Sequence, residues 1–313
     1  MSKYWRSLSV IILFIHSLSQ SFTTMAQQDQ MYITYPFMPL NINPAYAGSR
    51  EVINFTAVYR RRPLFSPLGV ATTTQQYLTF DMPIAQGKMA VGFQGYNADQ
   101  IIGTPTGGIN GNLGLNGDLA YRFSLPNDGK LAIGLQVGVT QVPVSFVSST
   151  GGVGTTAFNT SLGGGIYYHN DDSYLGVSFL NFNASDNYSR PIYASMGHVF
   201  TFDDDLKLKT GAVIRRVSSI YGSSTDFDLN ATAWINDKYG IGVWYQGTGS
   251  ELNKTAFLAS FQVQLKKIQV GYSYDFAGAG SLGSVASNEG FHQLMIKYEL
   301  DSGNGKSAVF KYF

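Results

Sequence analysis

Residues 131–140 alternate without a break. Leu131, Ile133, Leu135, Val137 and Val139 are large and apolar, while Ala132, Gly134, Gln136 and Gly138 between them are small or polar. Successive side chains of a strand leave on opposite faces, so this stretch has one greasy face and one small, polar face. About ten tilted residues of this kind cross a bilayer. One such strand also suits a β-sandwich. The weight therefore falls on how often the pattern recurs and where the charges sit.

The pattern recurs along most of the chain. From Glu51, the residues Ile53, Phe55, Ala57 and Tyr59 oppose Asn54, Thr56 and Arg60. Leu78, Phe80 and Met82 oppose Tyr77, Thr79 and Asp81, and Met89, Val91 and Phe93 oppose Ala90, Gly92 and Gln94. Leu113, Leu115, Leu119, Tyr121 and Phe123 oppose Asn112, Asn116, Asp118 and Arg122. The same spacing predicts strands over 158–168, 174–181, 192–202, 206–217, 227–235, 239–246, 255–265, 268–276 and 291–300. Short connections at 83–87, 125–130, 169–173, 203–205, 236–238 and 266–267 alternate with longer ones at 99–109, 141–156, 182–191, 218–225, 247–254 and 277–290. Short periplasmic turns alternating with longer outer loops, joining about fourteen strands, predict an all-β fold. It is a transmembrane antiparallel β-barrel of the outer-membrane type, spanning 51–300.

Charge placement supports a barrel over a soluble sandwich. Only 13% of residues are charged, against about a quarter in soluble globular proteins. Beyond the N-terminus no run approaches the ~18 apolar residues of a membrane helix. The strand charges Asp81, Asp118, Arg122, Lys207, Lys209, Arg215, Asp228, Asp275, Lys297 and Glu299 all fall between the large apolar residues. Arg216 alone breaks parity, at a strand end where snorkelling is easy. Glycines share the charged face, among them Gly134, Gly138, Gly163, Gly165, Gly211, Gly242 and Gly271. A solvated outer surface would carry lysine, glutamate and threonine there, so the charged face is read as the lumen. Tyr59, Tyr121, Phe123, Phe200, Phe202, Tyr245, Tyr274 and Tyr298 crowd the strand ends as interfacial girdles do.

The ends of the chain carry separate signals. Lys3 and Arg6 precede an apolar run at 8–18, and Thr24-Met25-Ala26 offers small residues before a cut. This is the pattern of a secretory signal peptide over 1–26. Residues 27–50 hold Pro36, Pro39 and Pro44 and have no period, so they read as a turn-rich periplasmic segment. Residues 301–313 form a tail beyond the last strand.

Two stretches carry a family resemblance. Pro39-Leu40-Asn41-Ile42-Asn43-Pro44-Ala45-Tyr46-Ala47-Gly48 resembles the N-terminal signature of the PorP/SprF family of type IX secretion outer-membrane proteins of Bacteroidota. Tyr272-Ser273-Tyr274-Asp275-Phe276, followed by Gly290-Phe291-His292-Gln293-Leu294, resembles that family's penultimate strand, outer loop and final strand. Gln293 departs from the acidic residue expected after the histidine, and the chain runs on past Leu300. The resemblance implies a membrane-embedded partner that assists export or surface anchoring of large proteins such as gliding adhesins. It implies contacts with secretion components or with the C-terminal domain of the cargo. Asn43, Pro44, Ala45, Tyr46, Ala47, Gly48, Tyr272, Tyr274, Asp275 and His292 are then structural or partner-contacting positions, and for 43–48 a structural turn is the stronger reading.

Other chemistries find little support. A net charge of +1 leaves no footprint for nucleic acid, and zero cysteines exclude disulfides and thiolate metal sites. His169, His198 and His292 have no metal-ligand spacing, and His198 falls on the apolar parity. Asp203-Asp204-Asp205 lacks the glycine and distal glutamate of a calcium loop. Gly163-Gly164-Gly165 opens no helix, so it is no phosphate loop. No cofactor, no enzymatic activity and no small-molecule substrate are expected, and membrane lipid and protein are the expected partners. Arg60-Arg61-Arg62 reads as a solvated charge run, and the apolar loop 100–109 as either folding into the lumen or meeting cargo. A passive porin-like channel is the main alternative, motivated by the small inward residues; the same room on the inner face would also admit residues 27–50 as a plug, or the outer loops. A soluble propeller would need a repeat of roughly 40–50 residues, which is not found.

Overall fold

The computed structural model describes residues 34–66, 69–101, 109–126, 128–148, 151–184, 190–219, 222–247, 256–276 and 290–302. The expected signal peptide, the tail beyond 302 and positions 102–108 of the apolar loop lie outside these.

The strands are β1 Ile53–Ser66, β2 Gly69–Ile84, β3 Met89–Ile101, β4 Ile109–Ser124, β5 Lys130–Ser148, β6 Gly151–His169 and β7 Ser173–Phe179. They continue as β8 Arg190–Thr201, β9 Leu206–Ser219, β10 Gly222–Ile235, β11 Tyr239–Gly247, β12 Ala256–Leu265, β13 Ile268–Asp275 and β14 Phe291–Leu300. Each pairs antiparallel with its sequence neighbours, and β1 pairs with β14 from Ile53↔Leu300 to Arg61↔His292. The ring is a closed barrel of fourteen strands, which leaves its wall no unpaired edge around the ring.

Several connections are tighter than their composition suggests. Of the stretch expected to be a loop at 141–156, residues 141–148 and 151–156 instead extend β5 and β6, paired out to Ser148↔Gly151. Residues 218–219 and 222–225 likewise continue β9 and β10 to Gly222↔Ser219, and β1 runs through Arg61 and Arg62 to Ser66 against β2. These segments are rich in valine, threonine and serine, and once the membrane portion fixes the register the hairpin propagates through them. β5 and β6 have 19 residues each. At ~3.3 Å per residue and a tilt near 40° they rise ~45–50 Å, well beyond an apolar band about 25 Å tall. At the opposite end the turns are short. Asn236 and Asp237 both take left-handed φ, 52° and 51°, which their short polar side chains tolerate better than most.

The large apolar set lies outside. Leu135 and Val137 are 63% and 61% exposed, and Leu78, Leu119, Ile166, Val177, Ile214, Val243 and Ile296 share that face. Tyr121, Phe123, Phe200 and Tyr298 ring the short-turn end, and Tyr59, Phe227, Phe257 and Tyr272 the other. His198 lies among the first group, its ring 4.5 Å from Phe200 and its Nδ1 2.7 Å from the Ser173 hydroxyl. The opposite parity lines the lumen.

The lumen is filled. Residues 34–50, expected as a turn-rich periplasmic segment with a place in the lumen left open, thread into the barrel near the end with the short turns, and all but Pro36 and Pro39 are buried. The cause is apolar content: Tyr35, Phe37, Met38, Leu40, Ile42 and Tyr46 find partners only on the inward face. Phe37 and Met38 pack with Val58, Tyr77, Trp244, Leu258 and Met295. Leu40, Ala45, Tyr46 and Ala47 pack with Ala90, Ala120, Ala132 and Tyr167, and Tyr35 and Ile42 with Leu180, Tyr193 and Val213. Among the described residues the buried hydrophobic clusters therefore lie inside the barrel, between the plug and the inward face of the wall.

Candidate functional site: the lumen plug

Residues 34–50 form a plug that is built from two short 3₁₀ turns, Pro39–Asn41 and Pro44–Tyr46. Each begins with proline, whose fixed φ and missing N–H suit a first helical position. Asn43 caps the second turn: its Oδ1 accepts from the Ala45 N–H at 3.0 Å, and its Nδ2 donates to the Ile166 carbonyl of β6 at 3.0 Å. The turn is pressed so close to the wall that only glycine fits opposite it. A Cβ on Gly134 would lie 2.3 Å from Ala45 N, and one on Gly165 would lie 2.2 Å from Asn43 Oδ1. Gly48 ends the motif with φ +66°, and a Cβ there would meet Ala90 Cβ at 2.5 Å. Left-handed φ and close approach both call for glycine here.

The polar backbone of the plug is satisfied by side chains from the wall, as a buried segment requires. Gly48 N–H donates to Asp81 Oδ2 at 2.7 Å, and Asn54 Nδ2 donates to Oδ1 of the same carboxylate at 2.8 Å. Arg122 Nη2 donates to the Ala47 carbonyl, and Nη1 to that of Gly87 at 3.2 Å. Gln94 Nε2 donates to the Leu40 carbonyl at 2.9 Å and to Asp118 Oδ2 at 2.7 Å, while Gln136 Nε2 donates to Asp118 Oδ1 at 2.9 Å. The Ser178 hydroxyl donates to the Ile42 carbonyl, and Asn230 Nδ2 donates to the Tyr35 hydroxyl at 3.0 Å. Arg50 closes the plug in a buried ion pair with Glu299 of β14, beside the pair Lys130–Glu51. Burial pushes the Tyr46 phenol up to about 12, so it stays neutral, its ring 5.5 Å from that of Tyr167.

The structure thus gathers Asn43–Gly48 with Asp81, Asp118, Arg122 and, through Arg50, Glu299. It does not bring Tyr272, Tyr274 or His292 to this site. Those three sit on the outer face at the long-loop end, where the Tyr272 hydroxyl lies 2.7 Å from His292 Nδ1 and the Tyr274 ring 4.9 Å from the His292 ring. Asp275 turns inward between them and pairs with Arg60 at 3.3 Å. Arg60 is no solvated charge: it is 0% exposed, bonded to Gln75 Oε1 at 2.8 Å, and lies over the Phe291 ring. Arg61 alone of that run is described as exposed. Arg215 pairs with Asp226 at 2.9 Å, Asp228 accepts from Gln246 Nε2 at 3.3 Å, and Lys207 pairs with Asp237 at 2.9 Å. Lys209 and Lys297 line lumen cavities with Arg50. Among the described residues no group of three or more His, Cys, Asp or Glu side chains is placed to hold a metal ion. Sequence reasoning missed Arg50, Gln94, Tyr167 and Ser178; the one sequence signal for them is the glycine-rich inward face, which leaves room for something.

A closed ring with an aliphatic exterior, aromatic rims and a polar interior filled by its own N-terminal segment defines an integral outer-membrane β-barrel with an internal plug. Solved structures similar to it include a Pseudomonas aeruginosa FadL homologue, at 15% identity and a TM-score of 0.49 over 82% of this chain and 92% of that one. The Acinetobacter baumannii outer membrane protein Omp33 matches at 9% identity and 0.48, over 80% and 98%. BamA from Haemophilus ducreyi matches at 10% and 0.43, over 79% and 70%. No curated protein matches the chain. Residues 24–298 match the family described as type IX secretion system membrane protein PorP/SprF, and the chain belongs to that family.

Proposed function

We propose that this barrel assists type IX export or surface anchoring of large cargo proteins, gliding adhesins among them, through contacts made at its surface. The carrying observation is the plug. Residues 34–50 occupy the lumen with apolar packing, hydrogen bonds to wall side chains on β2, β3, β4, β7 and β10, and one to a backbone carbonyl of β6. A lumen filled in this way is not a route for a polypeptide, so a role in export is one of docking. The long β5–β6 hairpin offers a surface on the side away from the short turns, and those turns offer one on the periplasmic side. The family supports secretion components as partners, and the C-terminal domain of the cargo is the specific partner proposed. The test is a pull-down of the tagged, plasmid-expressed protein from outer-membrane extract in mild detergent, beside a deletion strain. Co-purification of secretion components or cargo, with loss of large surface proteins in the deletion strain, is the expected result. Normal export of every such protein in the deletion strain would refute it.

A further inference from the structure

A groove of about 370 Å³ opens on the outside of the barrel, lined by Tyr59, Arg61, Tyr272, His292, Gln293 and Leu294. It lies at the long-loop end, the outer one in barrels of this class, where β14 runs between β1 and β13. The register sets its outward side chains in two rows. Tyr59, Leu294 and Tyr272 stand abreast in one, and Arg61, His292 and Tyr274 in the next row toward the long loops. Facing residues of paired strands have Cβ atoms about 4.5–5.5 Å apart, so the Arg61 and His292 heads can reach one compact group. Tyr59, Tyr272 and Leu294 are all exposed, part of the apolar band and aromatic rim that acyl chains cover. A cation on that face is costly at mid-bilayer and tolerated at the rim, where a long side chain reaches the headgroups.

The protein itself supplies no acid to Arg61 among the described residues. Asp275, on the neighbouring strand but one, turns inward to Arg60, no carboxylate shares the row of Arg61, His292 and Tyr274, and Arg61 makes no ion pair with any described residue. His292 Nδ1 lies 2.7 Å from the Tyr272 hydroxyl. With the phenol donating to Nδ1, the ring hydrogen sits on Nε2, which is then a donor at the groove. We propose that this groove seats a lipid of the outer leaflet by its phosphomonoester headgroup. Arg61 grips two phosphate oxygens, His292 Nε2 donates to a third, and the apolar part of the lipid covers Tyr59, Leu294 and Tyr272. A guanidinium offers phosphate parallel N–H donors, and charge-assisted bonds of this kind are the strong ones. The occupant follows from the place: the bilayer already covers this face. Free phosphate would meet the same cation but leave the apolar row bare, so it binds more weakly.

The test uses the full-length protein purified from outer membranes, delipidated in detergent and titrated with diphosphoryl lipid A while native mass spectrometry counts bound copies. The parent is expected to bind lipid A saturably, to bind its dephosphorylated form about tenfold more weakly or worse, and to keep the lipid in excess inorganic phosphate. Arg61→Gln is expected to weaken lipid A binding about tenfold or more, the equivalent of one charge-assisted contact. His292→Gln is expected to weaken it less, and the double variant most. Arg216 is the control, since it too is exposed at the long-loop end, on β9 and away from the groove; Arg216→Gln is expected to leave binding unchanged. All three positions are exposed, so heat-resistant gel mobility is expected to persist in every variant and checks folding. Equal binding of the dephosphorylated lipid, displacement by inorganic phosphate, undiminished affinity in the double variant, or an equal loss in Arg216→Gln would each overturn the proposal.

Discussion

Replacing Gly134 by alanine tests the plugged lumen with a single methyl group. The new Cβ would stand 2.3 Å from Ala45 N and 2.5 Å from both Ala45 Cα and Pro44 C. Ordinary contacts need about 3.5–4.0 Å, so the turn must retreat by roughly an ångström. The opposing atoms are backbone, and they are held by the Asn43 bond to Ile166 and the Gly48 bond to Asp81. Overpacking of this kind destabilises by ~1–3 kcal/mol. Against it stands the gain of ~0.5–1 kcal/mol from replacing glycine in a strand. The net expectation is a loss of about 1–2 kcal/mol. Gly117 is the control, because a Cβ there meets nothing within 4 Å; Gly117→Ala is expected to be neutral or slightly stabilising. Urea unfolding followed by tryptophan fluorescence separates the two, since Trp234 and Trp244 are both buried in the lumen. A Gly134→Ala protein at least as stable as Gly117→Ala would refute the close fit of the turn against β5.

Further perturbations address other parts of the molecule. Arg60→Met strands the buried Asp275 carboxylate and is expected to cost ~3–5 kcal/mol in urea, while Arg60→Met with Asp275→Leu recovers most of it. Asn43→Ala removes both a cap and a wall contact and is expected to cost ~1–2 kcal/mol, with faster proteolysis of the N-terminal segment. Leu135→Arg or Val137→Arg puts a charge on the lipid face at ~2–4 kcal/mol, read as poorer insertion into vesicles and loss of heat-resistant gel mobility. In planar bilayers the intact protein is expected to pass little current, and deletion of residues 34–50 to open a steady conductance; a high conductance of the intact protein would favour a porin instead.

Strand number and facing were legible because every wall residue answers to one rule, a period of two with lipid on one side. Leu135 and Asp118 need no partner to be known before their direction is clear. The plug was legible only as one of several ways to fill the lumen, and its partners were not legible, for the opposite reason. Residues 34–50 have no period, and their partners are far away: Arg50 meets Glu299, and Tyr35 meets Asn230. Gly134 and Gly165 recorded that space was reserved on the inner face without recording what fills it. Arg60 is a different case, because its parity placed it inward while its two arginine neighbours suggested a solvated run. The closed wall decides in favour of parity. The upper parts of β5 and β6 were hidden by Pro143 and by glycines at 151, 152 and 154. Those residues speak for a loop locally, yet they are carried along by the pairing below.

The Arg50–Glu299 pair has a mechanical meaning. Arg50 stands three residues before the first strand, and Glu299 lies on the last, one step from the point where Ile53 and Leu300 zip the circle shut. Stopper and zipper therefore share a clasp: any force that draws the stopper out pulls at the same place where the circle is joined.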